Sequence, residues 1–347
     1  MKISILLPYK ENFSPTYPGA VSIFLNDVTK LSKYAKNTII YGHTKLKKKF
    51  SKNYINIDFK KFFFKSKSRL YINKFLEIEK KNKSSLIEIH NRPDYINEIY
   101  KINKNLVLYF HNNPLDMKSS KTIHERVDIL KKTRKIIFNS NWTLNKFKKG
   151  INKKYYSNKL EVIYQSTDKK NINFKKKEKI ILFVGRLNKS KGYDVFGESV
   201  IKILNNFPEW KGIVIGDEPR EKIFFNHKNL KILGFQKHNI VSRWYAKSDI
   251  CVVCSRWDEP FGRTALESSS NGCAVIITNK GGLTEASPKA LTINNLSVSK
   301  LENSLLRLIK NPIFKKKLQK KIYKHFYLTN NYISKKIDIY RTNLLKS

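Results

Sequence analysis

Short apolar runs alternate with amphipathic stretches along most of the chain. That is the pattern of βαβ units feeding a parallel sheet. In the first half the runs predict strands over Lys2–Leu7, Thr38–Tyr41, Leu86–His90, Leu106–His111, Lys135–Asn139 and Lys159–Tyr164. In the second half they predict Lys179–Val184, Lys211–Ile215, Leu230–Leu233, Ile250–Cys254 and Ala274–Thr278. Helical periodicity separates the runs, most clearly over Val21–Tyr34 and His238–Ala246. A polar, lysine-rich stretch over Ser166–Glu178 interrupts the alternation, which then restarts. From about Leu301 the pattern is helical, broken at Asn311-Pro312. The fold class expected is α/β, with two doubly wound Rossmann-like domains facing across a cleft. Residues 1–168 form the first, residues 169–320 the second, and residues 321–347 a helical tail able to pack back on the first. Ligands of such domains sit at the carboxyl ends of the strands.

Composition narrows this picture. A length of 347 residues suits two domains, and 40% hydrophobic with 12% aromatic residues is enough to bury their cores. The apolar run of Met1–Pro8 is too short for a signal peptide and reads as a buried strand. No apolar stretch approaches the roughly 18–20 residues of a membrane span. A cytoplasmic protein is expected, able to associate with the inner face of the membrane. Three cysteines (Cys251, Cys254, Cys273) cannot all pair, and they read as buried free thiols. Cys251 and Cys254 lack the second Cys/His pair that a zinc site needs. The net charge of +43 is carried mostly by lysine. It admits two readings, a solvated surface shaped by coding bias or attraction to a polyanionic partner. No module that reads nucleic acid accompanies it, so nucleic acid is not an expected partner.

The chemistry concentrates in one segment, Ser255-Arg256-Trp257-Asp258-Glu259-Pro260-Phe261-Gly262-Arg263-Thr264-Ala265-Leu266-Glu267. It follows an apolar strand and leads into a helix that ends near Asn271-Gly272. Pro260 and Gly262 make a tight turn that presents backbone N–H groups, an anion site suited to a diphosphate. Glu259 lies just before the turn and Glu267 about one helical turn inside. Such carboxylates accept hydroxyl hydrogen bonds, as ribose and hexose diols offer.

Glu259-Pro-Phe-Gly-x-x-x-Leu-Glu267 resembles the E-x7-E motif of retaining GT-B glycosyltransferases of the family 4 type (glycosyl transferases group 1). Phe183-Val184-Gly185-Arg186-Leu187 with Lys191-Gly192 is similar to that family's V-G-R-L-x-x-x-K-G block. Gly272–Ile276, Gly281-Gly282-Leu283-x-Glu285 and Glu161–Asp168 resemble three further blocks, together covering most of residues 160–290. The resemblance implies a GT-B enzyme, hexose transfer from a nucleotide diphosphate sugar with retention, and a glycan or lipid-linked acceptor. It also implies no cofactor and no metal. Arg186 and Lys191 would neutralise the leaving diphosphate, Glu259 would hold sugar hydroxyls and Glu267 the ribose. Gly185, Phe261, Gly262 and Arg263 would complete the donor site. In the first domain Gly19 would let the backbone approach the donor phosphates, although Ala20 departs from the family's paired glycines. His111 would stand near the reacting sugar, with His90, Asn91 and Arg92 on the acceptor side. Gln165-Ser166-Thr167 replaces the usual Asn-Gly turn.

In such a family the cations and aromatics interleaved over residues 45–69 read as a docking surface for an anionic membrane leaflet. A core strand with a solvated basic edge is the other reading. Two rival functions share the remaining features: a GT-B sugar-nucleotide epimerase, which converts the donor alone, and a basic nucleic-acid-binding protein.

Overall fold

The chain is described from a computed structural model over residues 1–59, 66–156 and 158–346. It divides into two compact units, Met1–Ser166 with Asn330–Ser347, and Thr167–Thr329. The chain thus returns to the first unit at Asn330, rather than at the start of the tail expected from residue 321. Lys60–Lys65, the centre of the basic, aromatic stretch, lies outside the described residues.

The first unit runs β1 (Ile3–Leu6), α1 (Ala20–Thr29), β2 (Thr38–Gly42), β3 (Tyr54–Asn56), α2 (Lys67–Lys81), β4 (Leu86–His90) and α3 (Ile96–Tyr100). It continues through β5 (Leu106–Phe110), α4 (Ile123–Lys132), β6 (Lys135–Phe138), α5 (Asn141–Lys148) and β7 (Leu160–Val162). The strands form one sheet in the order β3-β2-β1-β4-β5-β6-β7, and each pairing is parallel. β4 and β5 are buried along their whole length, as a sheet covered on both faces requires. Each Ile, Leu or Phe placed there contributes roughly 1.5–3 kcal/mol through burial. Side-chain caps set the helix starts: Thr122 with Glu125 and Ser140 with Thr143 form reciprocal capping boxes.

The second unit runs β8 (Glu178–Val184), α6 (Tyr193–Asn206), β9 (Lys211–Ile215), β10 (Leu230–Ile232), α7 (His238–Lys247) and β11 (Ser248–Val253). It ends with α8 (Arg263–Ser270), β12 (Ala274–Thr278), α9 (Leu283–Ala286), β13 (Leu291–Ile293), α10 (Val298–Lys310) and α11 (Pro312–Lys324). The sheet order is β10-β9-β8-β11-β12-β13, again parallel throughout. In each sheet the order reverses beside the first strand, between β1 and β4 and between β8 and β11. Those two switch points open crevices at the strand carboxyl ends. The last helix, α12 (Asn330–Lys346), belongs to the first unit and packs on α1.

Several sequence expectations need correction. α1 stops at Thr29 and does not reach Tyr34. Asp338 of α12 accepts from the Ser32 hydroxyl (2.5 Å) and the Lys33 backbone N–H (2.8 Å), so the chain turns there. β3 and β13 were not expected; both are three-residue strands, each at one edge of its sheet. His111 and Asn139 lie just beyond β5 and β6. The three cysteines are free and buried, and burial pushes the Cys254 thiol up to about 12.

Candidate active site

Two loops meet at the switch point of the second unit. One follows β8 and carries Gly185, Arg186 and Lys191; the other follows β11 and carries Arg256–Gly262. Backbone hydrogen bonds join them, because Arg256 N–H and Trp257 N–H both donate to Ser190 O at 2.9 and 3.1 Å. Arg256 adds a two-pronged ion pair to Asp194 at 2.6 and 2.8 Å. The approach depends on Gly192, which has φ +71° and a missing side chain that would sit 2.0 Å from the Cys254 carbonyl oxygen. Only glycine tolerates both that conformation and that contact.

This joining brings Lys191 onto Glu259. Their side chains form an ion pair, and the Lys191 ammonium also lies 5.1 Å from the Trp257 ring centre. The Glu259 backbone is held in turn by Gly282 N–H, which donates to its carbonyl at 2.7 Å. Glu259 is only 9% exposed, and a charge so enclosed needs its partner. Gly262 then opens α8 at φ +112°, with no side-chain cap on the helix N-terminus. First-turn N–H groups left without a side-chain cap favour an anion. Arg186 is exposed and has no ion-pair or hydrogen-bond partner among the described residues.

Glu267 is buried on α8. Arg263 Nε stands 2.7 Å from its carboxylate one turn earlier, and His238 Nε2 stands 3.7 Å away. Both carboxylates assigned to hydroxyls are therefore already matched with cations. Phe261 buries its ring, so only its backbone can serve a ligand. One part of this cluster escaped the sequence reading. Glu218 accepts from Asn188 Nδ2 at 3.2 Å and from Arg220 at 2.7 and 2.9 Å. The Arg220 guanidinium holds its carboxyl down at about 2, below the usual range. Asn188 also accepts from Lys191 N–H at 3.0 Å, so Glu218 braces the Lys191 loop through it.

The first unit gathers His90, Asn91, Arg92 and His111 at the ends of β4 and β5. His90 Nδ1 and His111 Nε2 are 2.9 Å apart, and Asn91 accepts from His111 N–H at 2.7 Å. Burial lowers both imidazoles, His111 to about 3 and His90 well below its ordinary value. Both rings are neutral near pH 7, with one donating its proton to the other. Gly19 adopts an extended φ of −79°, which any residue could take. Its lack of a side chain is used by Glu11, whose carboxylate would lie 2.1 Å from a Cβ at that position. Glu11 accepts from Ser22 N–H at 2.9 Å and so occupies the N-terminus of α1. That is the place the resemblance gives to phosphates, and a loop glutamate carries no sequence pattern that would announce it. Among the described residues no group of three or more His, Cys, Asp or Glu could hold a metal ion, and no helix is long and apolar enough to cross a membrane.

Comparison with known proteins follows the same division. Residues 165–325 match the family described as "Glycosyl transferases group 1". The chain is 31% identical to the lipopolysaccharide core biosynthesis mannosyltransferase LpsB of Rhizobium meliloti, over 34% of this chain and 36% of that protein. It is 32% identical to an uncharacterized 41.2 kDa protein in the cps region of Klebsiella pneumoniae, over 48% of this chain and 49% of that one. The chain spans between about a third and a half of the curated relatives it matches. Among solved structures, sucrose-phosphate synthase from Thermosynechococcus elongatus has a TM-score of 0.76 at 16% identity, covering 100% of both chains. Anabaena Alr3699/HepE in complex with UDP-glucose has a TM-score of 0.74 at 16% identity, covering 99% of this chain and 100% of that one. These likenesses, with the two parallel sheets, establish the GT-B fold.

Proposed function

We propose that this chain, whose residues 165–325 match the glycosyl transferases group 1 family, moves a hexose-type sugar from a nucleotide diphosphate sugar to a glycan or lipid-linked acceptor. The observation that carries this reading is the Lys191–Glu259 pair, set directly before the uncapped N-terminus of α8. The likeness to LpsB, a lipopolysaccharide mannosyltransferase, supports an acceptor of the lipopolysaccharide or cell-surface polysaccharide type. The likeness to HepE with UDP-glucose bound supports a nucleotide-sugar donor.

In this reading the diphosphate sits on the first-turn N–H groups of α8, with Gly185 leaving room for it. Arg186 grips it with a planar guanidinium and Lys191 adds a point charge. Glu267 accepts from the ribose hydroxyls and Glu259 from the hexose. The anomeric carbon–oxygen bond breaks with its electron pair going to the diphosphate. An acceptor hydroxyl then bonds to the anomeric carbon on the same face and passes its proton to an oxygen of the departing diphosphate. Cations at the departing phosphate lower the barrier, because charge develops there. His90, Asn91 and Arg92 serve the acceptor, and His111, neutral at working pH, serves the sugar as a hydrogen-bonding group. The enzyme works in the cytoplasm, at the inner face of the membrane when its acceptor is lipid-linked.

A thermal-shift panel of nucleotide sugars tests the donor half, since a ligand bound only by the native state raises Tm. At least one nucleotide sugar should raise Tm in the wild type and raise it less in Lys191→Ala. No shift with any nucleotide sugar would overturn the reading. Conversion of the donor without an acceptor would instead mark an epimerase.

A further inference from the structure

Three rings converge at the carboxyl ends of β1, β2 and β3, apart from the donor-site and acceptor-side residues named above; one of them, Phe59, falls within the 45–69 stretch read from sequence as a membrane-docking surface. Tyr9 lies beyond β1, His43 directly follows β2 and Phe59 lies beyond β3. Parallel register puts these strand ends side by side, with Leu6 paired to Tyr41 and Gly42 to Asn56. Tyr9 and His43 stack with centroids 5.2 Å apart at 20°, and His43 meets Phe59 at 5.0 Å and 36°. Tyr9 and Phe59 close the triangle at 5.7 Å. Tyr71, fully buried, backs the Tyr9 ring at 5.9 Å and donates its hydroxyl to Leu7 O at 3.0 Å. The three outer rings are each partly exposed.

His43 adds one polar atom to this cluster. Its Nδ1 lies 2.9 Å from Ile57 O. A carbonyl only accepts, so Nδ1 carries the proton and Nε2 of the neutral ring is an acceptor. No described residue donates to that Nε2. An aromatic surface with one outward acceptor fits a pyranose: the C–H face lies on the rings and a hydroxyl donates to the nitrogen.

We propose that Tyr9, His43 and Phe59 form the subsite for a sugar ring of the acceptor. This rests on the transfer to a glycan acceptor proposed above. The test uses the full chain and a panel of methyl glycosides of glucose, galactose and mannose, read by saturation-transfer NMR. His43→Phe keeps the ring packing and removes Nε2; Tyr9→Leu keeps the bulk and removes a ring. At least one glycoside should bind the wild type through its C–H face, and roughly tenfold more weakly in His43→Phe, the loss of about one hydrogen bond. The Tm rise given by nucleotide sugars should stay as in the wild type in both variants. No saturation of any glycoside, equal saturation in the wild type and His43→Phe, or uridine binding there in place of the glycosides would overturn the subsite. Absence of nucleotide-sugar binding in the wild type would overturn the transfer reading, while the glycoside measurement still reads the subsite itself.

Discussion

The Arg341 guanidinium meets the Glu88 carboxylate through two hydrogen bonds of 2.7 Å, deep inside the first unit and 253 positions apart in sequence. Neither side chain is more than 1% exposed. Tyr340 donates to the same carboxylate at 2.5 Å and shares a 2.6 Å hydrogen bond with Tyr109. β4 and β5 are thereby tied to α12, and through Ser32, which accepts from Arg341 at 3.2 Å, so is the end of α1.

Removing one partner of this pair should be far worse than removing both. Arg341→Met leaves Glu88 buried and uncompensated, which typically costs about 3–5 kcal/mol. The double variant Glu88→Leu with Arg341→Met should recover most of that loss. Urea denaturation of the four proteins of the cycle measures it. Equal losses in the single and double variants would show that the lost contacts, and not the stranded charge, set the cost.

The same features mark how far the sequence could be read. Leu86–His90, Lys211–Ile215 and Ala274–Thr278 are observed with the bounds expected from their apolar runs. Strands buried on both faces leave continuous apolar runs, which are readable without any partner. Tyr54–Asn56 and Leu291–Ile293 were missed because a three-residue edge strand needs too few apolar residues to stand out. The end of α1 was missed because it is set by Asp338, 306 positions away from Ser32. In the candidate site the Glu259–Glu267 spacing and Lys191 were visible as a motif. Their pairing with each other's neighbours was not, since Lys191 and Glu259 meet through two loops whose contact depends on Gly192. Glu11 gave no signal at all.

The histidine pair should make the protein acid-sensitive earlier than its carboxylates do. Burial depresses both imidazoles in the folded state, whereas the unfolded chain titrates near the ordinary 6.5. Stability is complete above that value and falls as pH drops toward the folded values, His111 reaching about 3. Each group then removes about 1.4 kcal/mol per pH unit. Urea melts of the wild type and of His90→Gln with His111→Asn, between pH 7.5 and 5, should diverge in slope. Parallel slopes would mean that the imidazoles are not held neutral.

Glu11 should act in the opposite sense. Burial raises its carboxyl above the ordinary value despite the Ser22 hydrogen bond. Its contribution is then full below the unfolded value of 4.5 and is lost as pH rises through the folded value. Glu11→Gln keeps an oxygen for Ser22 N–H and removes the charge. The Tm of the variant relative to the wild type should therefore climb between pH 4.5 and 7. A constant difference across that range would show that Glu11 is solvated and unperturbed.

Transfer should need no divalent metal. Enzymes that hold a diphosphate through a cation present paired carboxylates for it, and the sequence contains no Asp-x-Asp. The buried carboxylates of the candidate site face cations of their own, Glu259 with Lys191, Glu267 with Arg263 and Glu218 with Arg220. The counter-charge for a leaving diphosphate can come from Arg186, Lys191 and the N-terminus of α8, the last worth about half a unit of positive charge. Lys191 stays on its loop through the Asn188 hydrogen bond to its backbone, so its ammonium can swing from Glu259 to phosphate without refolding the loop. Replacing Lys191 or Arg186 with Ala should lower kcat by about 10²–10³, the loss seen when one donor to a developing oxyanion is removed. Activity with a donor found in the thermal-shift panel should be the same with and without EDTA. Loss of activity in EDTA, restored by magnesium or manganese, would place a cation where these two side chains are assigned.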